Sequence, residues 1–176
     1  MSDAPTPFSR IKVRTSALVF CGDDVAVLRR RRPGSVHYTT IGGNVEPGED
    51  FTDALRRELE EELGLVPEHA ADAQLLWILD ARVTRPGPTP SPRKIHLIYR
   101  LHITPEVRSG LATEEHDELP DGTTETGHIE WIDYRKTRDL PLFPPIGAAI
   151  ADLPSPQAPV ANPALPPVTD ENYTWI

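Results

Sequence analysis

The stretch GNVEPGEDFTDALRRELEEELGL, Gly43 to Leu65, decides how the rest of the chain is read. Leu55, Leu59 and Leu63 recur at i, i+4, i+8, the apolar stripe of a helix with one buried side, and predict a helix over Phe51 to Leu63. Asp50 is placed to cap its start, with Asp53 three residues on as a short form of the capping-box acid. Gly64 suits the left-handed position just past its end. Each residue turns a helix by about 100°, so Glu58, Glu61 and Glu62 project from one side of it. Like charges so spaced weaken a bare helix unless solvent or a cation lies between them. Mg²⁺ takes oxygen ligands and commonly uses a few carboxylates together with substrate phosphates, which is the chemistry this cluster offers. Arg57, next to Glu58 and four residues before Glu61, is placed to pin a carboxylate, and Glu49 just ahead of the helix is a further partner for it.

Working outward, Lys12 to Phe20 and Val25 to Leu28 are rich in β-branched and aliphatic residues, and Gly22-Asp23-Asp24 between them carries turn chemistry. They predict a β-hairpin. The basic run Arg29 to Arg32 leads through Pro33-Gly34 to a short strand at Tyr38 to Ile41 that ends at the paired glycines Gly42-Gly43. Downstream, Gln74 to Val83 and Lys94 to Ile103 read as strands on either side of the connector RPGPTPSPR, which cannot be helical. Thr104 to Gly127 is acidic and without period, and reads as a mobile or functional loop. His128 to Tyr134 reads as another strand, and Pro145 to Ile150 as a short helix. These elements fall in one domain, residues 1–152. A Pro-rich tail, 153–176, is expected to be extended or disordered, with Tyr173, Trp175 and Ile176 able to dock its end on the body.

At Gly43 to Leu65 the chain resembles the Nudix hydrolase family, whose signature is G-x5-E-x7-R-E-U-x-E-E-x-G-U with U a bulky aliphatic residue. Gly43, Glu49, Arg57, Glu58, Leu59, Glu61, Glu62, Gly64 and Leu65 fall in register without insertion. GHIEWIDY and LPLFPP also resemble the closing segments of many members. Ile41 departs from the pattern, standing where a proline usually precedes the glycines. The resemblance implies an α/β/α sandwich around a mixed β-sheet and Mg²⁺-dependent, or Mn²⁺-dependent, hydrolysis of a phosphoanhydride in a nucleoside diphosphate linked to another group. It implies Glu58, Glu61 and Glu62 as metal ligands with the Gly43 carbonyl, and Arg57 and Glu49 as the residues that orient them. Nucleotide sugars, ADP-ribose and nucleoside triphosphates all remain candidate substrates.

The totals agree with this reading. The chain has 176 residues, 38% hydrophobic and 26% charged, which suits a globular domain with a sizeable core. Its net charge of −9 disfavours a broad nucleic-acid surface. With 1 Cys there is no intramolecular disulfide and no thiolate metal cage, and Cys21 reads as a small strand residue. No apolar run is long enough to span a membrane, and the polar start MSDAPTPFSR lacks a secretion signal, so a cytoplasmic place is expected.

Other residues carry weaker signals. Arg29, Arg30 and Arg31 read either as phosphate contacts or as a solvated turn, and Tyr38 as a packing residue or a stacking surface for a base. Among the late acids, Glu114, Glu115 and Glu118 are candidates for a general base, ahead of Glu125. The histidines lack metal-ligand spacing, and His96 and His102 lie in an alternating strand with structural roles favoured. Trp77 and Trp131 read as core or as the contact of a homodimer. Two rival functions remain: a non-catalytic nucleotide-sensing Nudix domain, and a scaffold that recruits partners through its Pro-rich tail. Intact acids, and a tail unable to form a helix-turn-helix, weigh against the sensor.

Overall fold

A computed structural model describes residues 6–175. Its axis is strand β1 (Ile11–Cys21), which hairpins through Gly22 and Asp23 into β2 (Asp24–Arg32). The chain then forms β3 (Ser35–Thr39), β4 (Ile41–Asn44), helix α1 (Phe51–Leu63), and the long strands β5 (Ala71–Arg82) and β6 (Arg93–His102). Helix α2 (Pro105–Ser109), strands β7 (Glu114–Glu118), β8 (Thr124–Asp133) and β9 (Leu142–Phe143), helix α3 (Gly147–Ala151) and β10 (Val168–Thr169) complete it. All ten strands join one mixed sheet. β1 and β6 run parallel in unbroken register from Ile11–Arg93 to Phe20–His102, while β1 pairs antiparallel with β4 and β2.

β1 is buried on both faces at its C-terminal half, and its alternation divides the core in two. Ala17, Val19 and Cys21 join Ala26, Leu28 and Ile41 beneath Leu55, Leu59 and Leu63 of α1. Leu18 and Phe20 join Val25, Val27, Trp77 and Ile98 on the opposite face, under Ile150 of α3 and Val168 of the tail. A helix on one face and α3 with the tail on the other give the expected α/β/α layering. Fully burying each α1 leucine stabilises the fold by roughly 1.5–3 kcal/mol as an upper estimate. The predicted caps are present: Asp50 accepts from the Asp53 amide at 2.8 Å, and Gly64 (φ 66°) donates to the Glu60 carbonyl.

Three expectations change. The strand ahead of α1 does not stop at the glycines: it bends at Thr40 and continues as β4 through Gly42 and Gly43, because β1 offers it a free edge. The run Arg29 to Arg32 is the second half of β2, paired with β3 from Leu28–Thr39 to Arg32–Ser35. Thr104 to Gly127 is not a loop but α2 followed by the β7–β8 hairpin, in register from Glu114–His128 to Glu118–Thr124. β7 is an edge strand of sequence EEHDE, so it carries no apolar alternation by which to be recognised. Its charges suit an edge that must not pair further.

The tail is extended but held: β10 pairs parallel with β5, and Leu153 and Val168 are buried. Tyr173 and Trp175 dock against Phe143, with ring centroids 5.9 and 5.4 Å away. Ile176 lies outside the described residues. Trp77 is a core residue, while Trp131 is half-buried beneath the Arg108 guanidinium, 4.5 Å from its ring centre. Among the described residues no helix is long and apolar enough to cross a membrane.

Candidate active site

β4 brings Gly42 and Gly43 against the acidic side of α1. Gly42 has φ 140°, a conformation open to glycine, and a Cβ there would collide with the Thr15 carbonyl of β1. Its amide donates to Glu62 Oε2 at 2.8 Å. A Cβ on Gly43 would overlap the Glu58 carboxylate. The glycines therefore allow the backbone of β4 and two helix carboxylates to share a space that any side chain would fill.

Arg57 ties the intervening loop to the helix. Its guanidinium donates to both oxygens of Glu49, at 2.6 and 3.1 Å, and to the Asn44 carbonyl at 3.0 Å. It also donates to Glu58 at 2.7 Å and to Glu61 at 3.3 Å. Glu49 in turn accepts from the Glu46 amide at 2.9 Å, which closes the turn before the helix. Hydrogen bonds from Arg57, then that from the Glu46 amide, hold the Glu49 carboxyl below its ordinary range; bonding to Glu49 foremost, with Glu58 adding to it, raises the arginine.

Burial pushes Glu58 up despite Arg57, and pushes Glu62 up to about 8 despite the Gly42 amide, with the charges of Glu58 and Glu115 adding to the shift. Glu62 therefore lies where negative charge is costly and no counter-cation is bonded to it. Among the described residues no three His, Cys, Asp or Glu side chains are already gathered into a metal-holding group. Glu58 and Glu61 turn to Arg57, and Glu62 turns to the Gly42 amide. Each still keeps one oxygen outside these bonds, namely Glu58 Oε2, Glu61 Oε1 and Glu62 Oε1. The donor set is all oxygen, carboxylate plus the backbone of a glycine whose missing Cβ leaves room, and it fits a hard divalent cation.

The candidate bases separate by strand alternation. Glu115 points from β7 toward α1, close enough for its charge to be felt at Glu62. Its carboxyl is raised to about 7, first by burial and then by Asp117. Glu114 faces the other way, its carboxylate 3.6 and 3.8 Å from His128 and His116, and Glu118 is exposed at the strand end. Only Glu115 of the three is brought near the helix acids.

The basic run is largely engaged elsewhere. Arg30 meets Glu115 at 3.1 Å, Asp117 at 2.9 Å and Glu125 at 3.6 Å. Arg29 pairs with Glu130 at 3.0 Å, Arg31 is exposed, and Tyr38 packs beside the core with its hydroxyl directed to Glu130.

A different set of cations stands at the site. Arg14 of β1 donates to the Asn44 side chain at 3.1 Å, and its charge is felt at Glu58 and Glu62. Lys12 and Lys94 lie opposite each other in the β1–β6 ladder, and Arg14 lies opposite His96. Sequence reasoning passed over these residues, although Lys12 and Arg14 at i, i+2 place two cations on one face of a strand.

The sequence matches the family described as the NUDIX domain over residues 11–152. No curated protein matches it. Among solved structures, a mutator MutT protein from Bacillus halodurans is 20% identical, with 79% of each chain covered and a TM-score of 0.50. The MutT protein from Methanosarcina mazei Go1 is 15% identical, with 80% of this chain and 91% of that one covered and a TM-score of 0.52. Both likenesses concern the fold.

Proposed function

The chain belongs to the Nudix hydrolase family, and from that premise we propose that it is a Mg²⁺-dependent hydrolase, Mn²⁺ serving as well, of a phosphoanhydride in a nucleoside diphosphate linked to another group. Nucleotide sugars, ADP-ribose and nucleoside triphosphates are the candidate substrates. The observation that carries the reading is the meeting of the Glu58 and Glu62 carboxylates with the backbone of Gly42 and Gly43, in space kept open by glycine.

Glu58, Glu61, Glu62 and the Gly43 carbonyl would hold the divalent cation, which when bound neutralises phosphate oxygens and lowers the pKa of water. Arg57 and Glu49 fix the loop and the helix relative to each other, so the acids do not have to be ordered anew for each turnover. A water oxygen attacks phosphorus, the anhydride P–O bond breaks, and the departing phosphate keeps that electron pair. Glu115 is the group we assign to take the water's proton, on its position over Glu62; its carboxyl, near 7, is matched to that task.

The test is a Mg²⁺-supplemented panel of nucleotide sugars, ADP-ribose and nucleoside triphosphates, with products separated and identified for the wild type and for Glu62→Gln. Two phosphate-terminated products are expected from the wild type, with turnover lower by orders of magnitude in a folded Glu62→Gln. Nucleotide binding without any turnover would establish the sensing alternative instead. A Glu62→Gln rate near that of the wild type would remove the assigned site.

A further inference from the structure

In a chain of net charge −9, the face of β1 and β6 beside the site gathers cations: Arg14, whose charge is felt at Glu58 and Glu62, and farther along it Lys12 and Lys94. Lys12, Arg14 and Lys94 share that face through the ladder, and Arg85 reaches it from the connector between β5 and β6. Among the described residues, none of these four forms an ion pair with an acid, whereas Arg29 and Arg30 of β2 and Arg93, beside Lys94 on β6, each meet a carboxylate within 3.1 Å. Lys94 is instead held between two rings, its ammonium 5.1 Å from the centre of Phe143 and 5.4 Å from that of Trp175. Aromatic faces orient a cation without discharging it. They leave Lys94 able to meet an anion.

The cations burden one another. Burial foremost, with Arg14, Arg85 and Lys12 adding to it, lowers Lys94 to about 8, and Lys12 is lowered by burial and then by Arg10, Arg85 and Arg14. Crowding positive charge in half-buried positions costs stability unless an anion occupies the space between. His96 beneath them is fully buried and held neutral, so it adds no further positive charge.

Position gives the ligand. Lys12 lies two residues from Arg14, or about 7 Å along the strand. Arg14 is the cation felt by Glu58 and Glu62, so Lys12 and Lys94 stand one step farther from the acids that would engage the scissile anhydride. We propose that Lys12, Arg85 and Lys94, with Trp175 of the tail as the wall that positions Lys94, form a second anion site for a further phosphate of the substrate, remote from the bond cleaved. The substrate class is then a nucleotide diphosphate derivative bearing an additional phosphate monoester. This rests on the hydrolase reading for its place in catalysis, but binding alone reports on it.

The experiment compares adenosine 2′,5′-bisphosphate with adenosine 5′-monophosphate by calorimetry, on the intact protein without added metal. A charge-assisted contact contributes about 1.5 kcal/mol, or roughly tenfold in affinity, so the bisphosphate is expected to bind at least about tenfold tighter. Lys94→Met, Arg85→Gln on the surface connector and Trp175→Ala should each bring the ratio of the two dissociation constants toward one. Thermal melting verifies folding of the strand variant, and Arg85→Gln leaves every strand untouched. A wild-type ratio near one, or a ratio unmoved in folded Lys94→Met and Arg85→Gln, overturns the second site. Should the ratio behave as expected while ADP-ribose and its 2′-phosphate both resist hydrolysis, the anion site stands and the assignment of hydrolysis to such substrates falls.

Discussion

Replacing Arg57 by Lys keeps the charge and removes the geometry, and so isolates what the guanidinium contributes. Five hydrogen bonds leave this side chain: two to Glu49 and one each to Glu58, Glu61 and the Asn44 carbonyl. A lysine ammonium, a point charge on a flexible stem, would reach about two of those acceptors at once. Roughly three bonds are lost. Such bonds contribute about 1.5–3 kcal/mol each when shielded. The Arg57 side chain is 23% exposed and that of Glu61 59%, so solvent screening brings the figure nearer ~1 kcal/mol each. The total of about 2–3 kcal/mol, expressed in the transition state, is roughly 30- to 160-fold in kcat/KM. The assay is phosphate release against substrate concentration at several Mg²⁺ concentrations, beside a thermal melt. The half-saturating Mg²⁺ concentration should rise as well, because Glu58 and Glu61 lose their orienting partner. If Arg57→Lys stays within about threefold of wild-type kcat/KM with unchanged Mg²⁺ dependence, the guanidinium is not what positions the acids, and the reasoning fails.

Gly43→Ala places a methyl group where the Glu58 carboxylate now lies. It should lower turnover and weaken Mg²⁺ binding far more than it lowers the melting temperature; a fully active variant would show that Glu58 does not approach β4 in solution. His96 makes a prediction about pH. Burial, with Arg14 and Lys94 adding, depresses its folded-state pKa to about 3 from 6.5, so the unfolded chain binds the proton first. The stability held in neutral His96 is therefore complete above pH 6.5 and is lost as pH falls from 6.5 toward 3, by roughly 3 kcal/mol at pH 4. His96→Leu should flatten that part of the acid slope in urea titrations, and parallel slopes for the two proteins would contradict it.

What the sequence made legible was what repeats with a fixed period or matches a fixed register. The α1 leucines and both its caps could be read directly, since Asp50 and Gly64 act through local backbone geometry alone. So could β1, β6 and the first half of β2, whose burial on two faces demands apolar runs, and β5, where Leu76, Trp77, Leu79 and Ala81 are buried along one apolar stretch. The β7 strand is not legible, because the residues on its Arg30 side, Glu115 and the exposed Asp117, are matched by that arginine of β2 and not by an apolar neighbour. Eighty-five residues separate Arg30 from Glu115, and no local pattern registers that pairing. For the same reason the sequence does not show that Arg29 and Arg30 of the basic run meet acids of β7 and β8. The cations of β1 and β6 were passed over because they come together only through parallel pairing of strands far apart in sequence.

The burial along β1 explains why the chemistry sits where it does. From Thr15 to Cys21 every residue is buried, and the two faces are packed by α1 on one side and by α3 with the tail on the other. From Ile11 to Arg14 none is, although the ladder to β6 continues unbroken through both halves. Hydrogen bonding therefore does not mark the change; side-chain chemistry does. Had Lys12, Arg14 and Lys94 been aliphatic, the same ladder would support a continuous core and leave no polar surface beside Glu58 and Glu62. Keeping half-buried cations there sacrifices packing energy of a few kcal/mol, at about 25 cal/mol per Å² of apolar area forgone. Departures from the apolar pattern that gain nothing within the fold are expected at sites of function. Here the departure begins at Arg14, beside Asn44 and the paired glycines, where the carboxylates of α1 approach β4.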